Sequence, residues 1–291
     1  MQLDEHFQRR LNEARMFFAE GKALAAEKIY RDLLKPDLPA GGRVLVLDGL
    51  GRCLHIQGRL EEAETFFRES LRFLEELFGP NHIHVAGGLQ NLARLRSERG
   101  ECEEAATLGE RALSILKQSL PADDLRIADA LLNLSSHQYT AKKYDAAEAN
   151  LKMALHLWEA KEGRCFGVST CLNNLGRICE ERGETRQGVL YHQEAVSIRK
   201  EILGIHPETA FSLGNYGTAL AGDAQWEKAA NTLEEALTCY DSLGLSDGGR
   251  YLPQQPEPVP QRSETIRSAM MIKGAVGPLP FMRSAGKAIP A

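Results

Sequence analysis

The chain repeats itself every 41 or 42 residues, and this self-similarity limits the possible folds more than any other feature of its 291 residues. With Leu50-Gly51 as reference, the same position recurs as Leu92-Ala93, Leu134-Ser135, Leu175-Gly176 and Tyr216-Gly217. Eight residues after each reference leucine or tyrosine stands a turn position, occupied by Gly58, Gly100, Lys142, Gly183 and Ala224. Thirteen residues after it comes a small residue, Ala63, Ala105, Ala147, Gly188 or Ala229, and twenty after it another, Ser70, Ala112, Ala154, Ala195 or Ala236. A looser unit, carrying Ala14, Gly21 and Ala26 at the matching positions, lies 37 residues upstream and brings the number of units to six.

The spacing has a physical reading. Two helices approach closely where small residues face each other, and glycine permits the chain reversal between them. Apolar residues such as Leu47, Leu50 and Leu54, or Val85, Leu89 and Leu92, recur between the small positions at helical spacing. The pattern predicts an all-α solenoid of about six antiparallel helix pairs, near 6–19/22–35, 42–57/60–78, 83–99/102–118, 124–141/144–160, 166–182/185–203 and 207–223/226–243. One pair cannot bury its own apolar face, so neighbouring pairs must stack. We therefore assign residues 1–247 to the repeat array, with units near 6–37, 42–81, 82–123, 124–164, 165–205 and 206–247.

Charge and proline content set the rest apart. Seven of the twelve prolines fall in residues 248–291, where six basic side chains oppose Glu257 and Glu264. That segment carries +4, which leaves −9 on the remainder of a chain of net charge −5. The composition predicts a basic, Pro-rich and largely disordered tail, with a short amphipathic stretch around Ile266, Ala269, Met270 and Lys273. Its charge suggests that it folds back on the acidic array. The negative balance of the whole chain argues against a nucleic-acid partner. No apolar run is long enough to cross a bilayer, and the charged start MQLDEHFQRR lacks a signal-peptide core, so a cytoplasmic protein without membrane association is expected.

The small-residue pattern, with segments such as HPETAFSLGNYGTAL (206–220) and CLNNLGRICEERGE (171–184), resembles the tetratricopeptide-repeat (TPR) family, and its period is similar to the kinesin-light-chain type of repeat. The resemblance implies a right-handed superhelix whose first helices line a concave groove, where asparagines of an NNL-type motif hold an extended peptide by its backbone. One residue before each reference position stand Asn12, Gly49, Asn91, Asn133, Asn174 and Asn215, and two after it Arg15, Arg52, Arg94, Ser136, Arg177 and Thr218. Residues three apart share a helix face. Asparagine both donates and accepts, so it can pair with any peptide unit, whereas arginine offers a charged fork that fits a carboxylate. The expected site is thus Asn91, Arg94, Asn133, Asn174, Arg177, Asn215, Arg52, Asn12 and Arg15, and the expected ligand an acidic, extended segment of a protein partner. The same residues could instead brace neighbouring repeats, with Arg94 and Arg177 paired to Glu98 and Glu181 one turn on.

Nothing in the sequence points to catalysis, a cofactor or a metal. His82 and His84 sit at a helix start without a third ligand, and the six cysteines form no C-x-x-C pair. Cys171 and Cys179 fall on a buried stripe and read as inert, and Trp158 and Trp226 read as core or repeat-interface fillers. Gly41-Gly42 and Gly87-Gly88 follow no strand and precede no P-loop lysine. The chain reads as a scaffold or adaptor. The alternatives are a regulatory or sensor array acting on a separate enzyme, and a self-associating structural brace.

Overall fold

The computed structural model describes residues 4–245, and the expectations for the tail lie outside these. Among the described residues there are twelve helices and no strand, in the order α1 (Glu5–Ala19), α2 (Ala23–Leu33), α3 (Ala40–Ile56), α4 (Leu60–Phe78), α5 (Ile83–Glu98), α6 (Cys102–Ser119), α7 (Leu125–Thr140), α8 (Tyr144–Glu162), α9 (Phe166–Glu181), α10 (Thr185–Leu203), α11 (Pro207–Gly222) and α12 (Trp226–Ser242). Every helix falls within a few residues of its predicted span. They gather into two compact bodies, the first ending at Ala122 and the second beginning at Asp123, with three helix pairs in each. Within a body, each first helix packs on its own second helix, and each second helix packs on the first helix that follows.

Small residues set the helix spacing. Ala63, Ala105, Ala147 and Ala154 are fully buried, as are Ala112 and Ala195. A Cβ added at Gly51 would stand 2.5 Å from the Phe67 ring, one at Gly217 2.6 Å from Leu233, and one at Gly176 2.5 Å from the His192 ring. In these three units the first helix offers bare backbone to one large side chain of the second. Apolar cores fill the remaining space. Phe7, Leu11, Ile29, Tyr30 and Leu50 cluster at one end of the first body, with Leu54, Phe67, Leu92 and Leu95 beyond them. In the second body Val168, Leu172 and Ile198 form one cluster, and Val196, Leu213 and Ala236 another. Each large apolar side chain so buried contributes roughly 1.5–3 kcal/mol.

All six intra-pair turns have one construction. The residue at the turn position adopts positive φ, and the next N–H reaches back to the carbonyl five residues earlier: Lys22 to Phe17, Arg59 to Leu54, Glu101 to Arg96, Lys143 to Gln138, Glu184 to Cys179 and Gln225 to Leu220. This bond satisfies a carbonyl that the helix end would otherwise leave open. Glycine takes the left-handed place in four turns, whereas Lys142 (φ 58°) and Ala224 (φ 58°) take it in the other two. Helix starts are capped where the sequence provides an acceptor. Asp4 accepts from the Phe7 N–H at 2.6 Å and Asp124 from the Arg126 N–H at 2.9 Å, while His82 and His206 each accept the N–H two residues on.

One aromatic reading needs correction. Trp158 packs where a Cβ on Gly167 would touch its ring, as a repeat-interface filler should, but Trp226 is the first residue of α12 and is 48% exposed. A residue in the first turn projects beyond the helix it would have to pack against, and helical spacing alone does not reveal that. Gly41-Gly42 and Gly87-Gly88 lie inside α3 and α5.

Lys142→Gly and Ala224→Gly should each stabilise the protein by up to about 1 kcal/mol, read as a higher urea midpoint, because a Cβ in the left-handed region is strained. Gly51→Leu should do the reverse by on the order of 1–3 kcal/mol, since Phe67 already fills that space.

Candidate functional site

Within each body, side chains near the reference position of one first helix meet those of the first helix before it. In the first body, the Asn91 Nδ2 of α5 donates to Asp48 Oδ1 of α3 at 2.6 Å. Asp48 stands two residues before the reference position, beside the predicted asparagine row, and sequence reading passed over it. The guanidiniums of Arg52, Arg94 and Arg15 all bear on its carboxyl. Burial pushes the Asp48 carboxyl up, and the three arginines and the Asn91 bond draw it back.

These arginines differ in their settings. Arg15 is exposed on α1, as is Asn12. Arg52 lies partly buried with its guanidinium 4.6 Å from the Phe18 ring centre, a cation–π contact that fixes its direction. Arg94 is drawn further in. Burial lowers its pKa, Glu98 acts against that shift, and its Nε is shut away from water without an acceptor. Glu98 in turn meets His55 of α3. Arg94 therefore sits within a mixed cluster of the first body and is not a free fork.

The second body uses the same register with different chemistry. Asn215 Nδ2 of α11 donates to Asn173 Oδ1 of α9 at 3.0 Å, and the His192 ring Nδ1 lies 3.2 Å from the same oxygen. Asn215 and Asn133 are partly buried, and Asn174 is fully buried. Asn174 thus does not stand open to solvent as the row predicts, because α9 is the middle first helix of its body and packs alongside α11. Arg177 lays its guanidinium 4.9 Å from the Tyr139 ring centre, and the hydroxyls of Tyr139 and Tyr144 both donate to Glu181. Ser136, one of the two breaks in the arginine row within this body, is buried, and Thr218 bonds back to the Gly214 carbonyl.

Two asparagines of the predicted row therefore clasp the preceding repeat by one rule. The amide one residue before the reference donates to an oxygen two residues before the reference in the unit upstream, Asn91 to Asp48 and Asn215 to Asn173. Each such asparagine keeps its carbonyl and a second N–H for other partners. A second clasp lies near the turns. Glu64 of α4 receives Arg96 and Arg99, Glu148 of α8 receives Arg182, and Glu27 of α2 receives Gln57 and Arg59.

Two cysteines and one arginine are closed off. Cys171 and Cys179 are buried, and burial pushes both thiols up, Cys179 to about 11. Arg199, with no exposure, bonds the Glu208 carbonyl and the hydroxyls of Ser169, Thr170 and Ser212, and braces α10 against α9 and α11. Among the described residues no group of three metal-ligating side chains occurs, and no helix is long and apolar enough to cross a membrane.

A double-mutant cycle on Asp48→Ala and Asn91→Ala should show a coupling of about 1 kcal/mol in denaturant unfolding, as a partly buried hydrogen bond predicts. The Asn173→Ala and Asn215→Ala cycle should give a coupling of the same order.

Comparison with known proteins agrees with this architecture. No curated protein matches the chain in sequence. Among solved structures, BtubC (BKLC) from P. vanneervenii aligns over 90% of this chain and 99% of its own, with a TM-score of 0.63 at 21% identity. A putative kinesin light chain of Podospora anserina, with nearly identical TPR-like repeats, aligns over 71% of this chain and 99% of its own, at a TM-score of 0.62 and 18% identity. The quorum sensor NprR from B. thuringiensis, in its apo form, aligns over 94% of this chain and 71% of its own, at a TM-score of 0.70 and 13% identity, and NprR has also been solved in complex with its cognate peptide NprX. The tetratricopeptide-repeat family model matches residues 43–118 and 126–201. With more than half of its residues matched by that model, this chain belongs to the tetratricopeptide-repeat family.

Proposed function

We propose that the chain is an interaction scaffold that holds an extended segment of a partner polypeptide against the first-helix face of its repeats, and that the first body favours an acidic side chain there. The observation that carries this reading is that Arg15 and Arg52 stand at the same repeat position of α1 and α3, the first exposed and the second laid against Phe18. Arg52 is held by Phe18, so it can meet a ligand carboxylate without first being ordered, and Arg15 is open to solvent. In the second body the partly buried amides of Asn133 and Asn215 retain N–H groups that suit a peptide main chain whatever its side chains. A solenoid of related architecture, NprR, is known in complex with a peptide, which supports the class of ligand and not its sequence.

The test compares peptides bearing Asp or Glu with their Asn or Gln counterparts in fluorescence anisotropy. Wild-type protein should prefer the acidic form, and Arg15→Gln with Arg52→Gln should lower its affinity on the order of tenfold while far-ultraviolet circular dichroism stays unchanged. Equal binding of the two peptide forms by wild-type protein would remove the acidic preference, and the absence of any peptide binding would remove the reading altogether. Arg94 is a poorer probe, because its replacement also disturbs the packing around Asp48.

A further inference from the structure

We propose that the outer face of α12 is a docking surface for a basic amphipathic helix, and that residues 262–273 of this same chain occupy it, antiparallel to α12. The repeat register identifies the face. The second helix α10 meets the following first helix, α11, through Thr185, Val189, Val196 and Arg199. Val189 clusters with Ala219 and Leu220, Val196 clusters with Leu213, and Arg199 bonds the Glu208 carbonyl and the Ser212 hydroxyl. A Cβ on Gly222 would stand 3.3 Å from the Thr185 methyl. Forty-one residues on, α12 carries Trp226, Ala230, Leu237 and Tyr240 at the same places. Val189, Val196 and Arg199 are buried, whereas Trp226 is 48% exposed and Ala230, Leu237 and Tyr240 are only partly buried. Among the described residues no helix follows α12 to cover them. A terminal repeat that keeps the apolar stripe of an internal one needs a cover.

The charged border of the stripe selects what fits. Two ion-pair relations recur between consecutive units. The residue eleven after one reference meets the residue seven after the next, as Asp145 meets Arg182 and Arg186 meets Asp223. The residue twenty-five after one reference meets the residue nineteen after the next, as Glu75 meets Arg111 at 2.7 Å and Lys200 meets Glu235 at 2.6 Å. Either sign occurs on the second helix, and the next unit supplies the opposite one. In α12 both places are acidic, Glu227 and Asp241, with Glu234 midway, and all three are exposed. Seven-residue steps set them along one edge of the stripe. The cover must therefore be basic. Residues 248–291 carry +4, and within them Ile266, Ala269 and Met270 recur at helical spacing between Arg262 and Lys273. At about 1.5 Å per residue, Arg262 and Lys273 would lie about 16 Å apart on a helix, and Glu227 and Asp241 lie about 21 Å apart. Helix α11 runs antiparallel to α10, since Asp223 at its end meets Arg186 and Glu208 at its start meets Arg199. The same direction on α12 sets Lys273 near Glu227 and Arg262 near Asp241. Residues 246–261 tether the segment to Leu245, which holds it at an effective concentration on the order of millimolar, ahead of helices from other molecules.

Hydrogen–deuterium exchange mass spectrometry of the full chain tests this, with a synthetic peptide of residues 260–275 as the unprotected reference. Residues 262–273 should exchange on the order of tenfold more slowly in the chain than in the peptide, by the same factor at every protein concentration. Glu227→Lys with Asp241→Lys should abolish that protection and speed exchange in α12, while α1 to α10 stay as in wild type. Adding Arg262→Glu and Lys273→Glu to that pair should restore it. Leu237→Asp should abolish it without rescue, and the exposed charge variants carry the test if Leu237→Asp unfolds. Exchange of residues 262–273 at the peptide's rate in wild type overturns the proposal. Protection that survives Glu227→Lys with Asp241→Lys overturns it as well, because the segment then docks elsewhere, and so does failure of the fourfold variant to regain protection. Protection that rises with protein concentration, together with a dimer in light scattering, overturns it and assigns the face to a second copy of the chain.

Discussion

The whole architecture depends on backbone brought close to a large side chain. Gly51 faces Phe67, Gly217 faces Leu233 and Gly176 faces His192, each with no room for an added carbon. Close approach at these points lets the second small rows, at Ala63 and Ala112 and their equivalents, vanish from solvent and brings apolar stripes of consecutive helices into contact. The spacing then fixes the register. Within each body, a position of one first helix then meets a definable position of another, as Asn91 meets Asp48 and Asn215 meets Asn173.

Register makes polar chemistry repeatable as well. The asparagine clasp, Asn91 to Asp48 and Asn215 to Asn173, appears in both bodies with the same relation between units. The carboxylates Glu27, Glu64 and Glu148 likewise occupy equivalent places in second helices and receive groups from the end of the following first helix. Several of these ion pairs are partly exposed, so they set alignment more than they add stability. The two bodies differ in what the clasp acceptor is. A carboxyl in the first takes the Asn91 amide, and a neutral amide in the second takes a buried histidine and another asparagine.

The helices and turns were legible in the sequence because their cause is local and recurs six times. Glycine at the turn position, small residues at fixed distances and apolar residues at helical spacing all state the same answer, and even Lys142 and Ala224, which carry the wrong residue type, are carried into left-handed geometry by the repeat. The candidate site was legible in part. The asparagine and arginine rows lie on the first helices as expected, yet Asn91 and Asn215 spend a donor on the preceding unit, Asn174 is buried, and Arg177 lies over Tyr139. Asp48 was missed since a lone acid two residues from the reference position has no periodic signal. The signal that could have found it is the coincidence of that acid with an asparagine 43 residues later.

By itself the sequence determined the class of fold, the number of units, the helix limits and the residues available to a first-helix face, because these follow from periodicity along one chain. Tertiary structure decided which of those residues are committed to one another. Whether an amide is open or spent, whether an arginine stacks on an aromatic ring or faces a carboxylate, and whether a tryptophan at helical spacing is covered all depend on neighbours some 40 residues away. Such partners are set by packing distance in space, which a one-dimensional pattern does not encode.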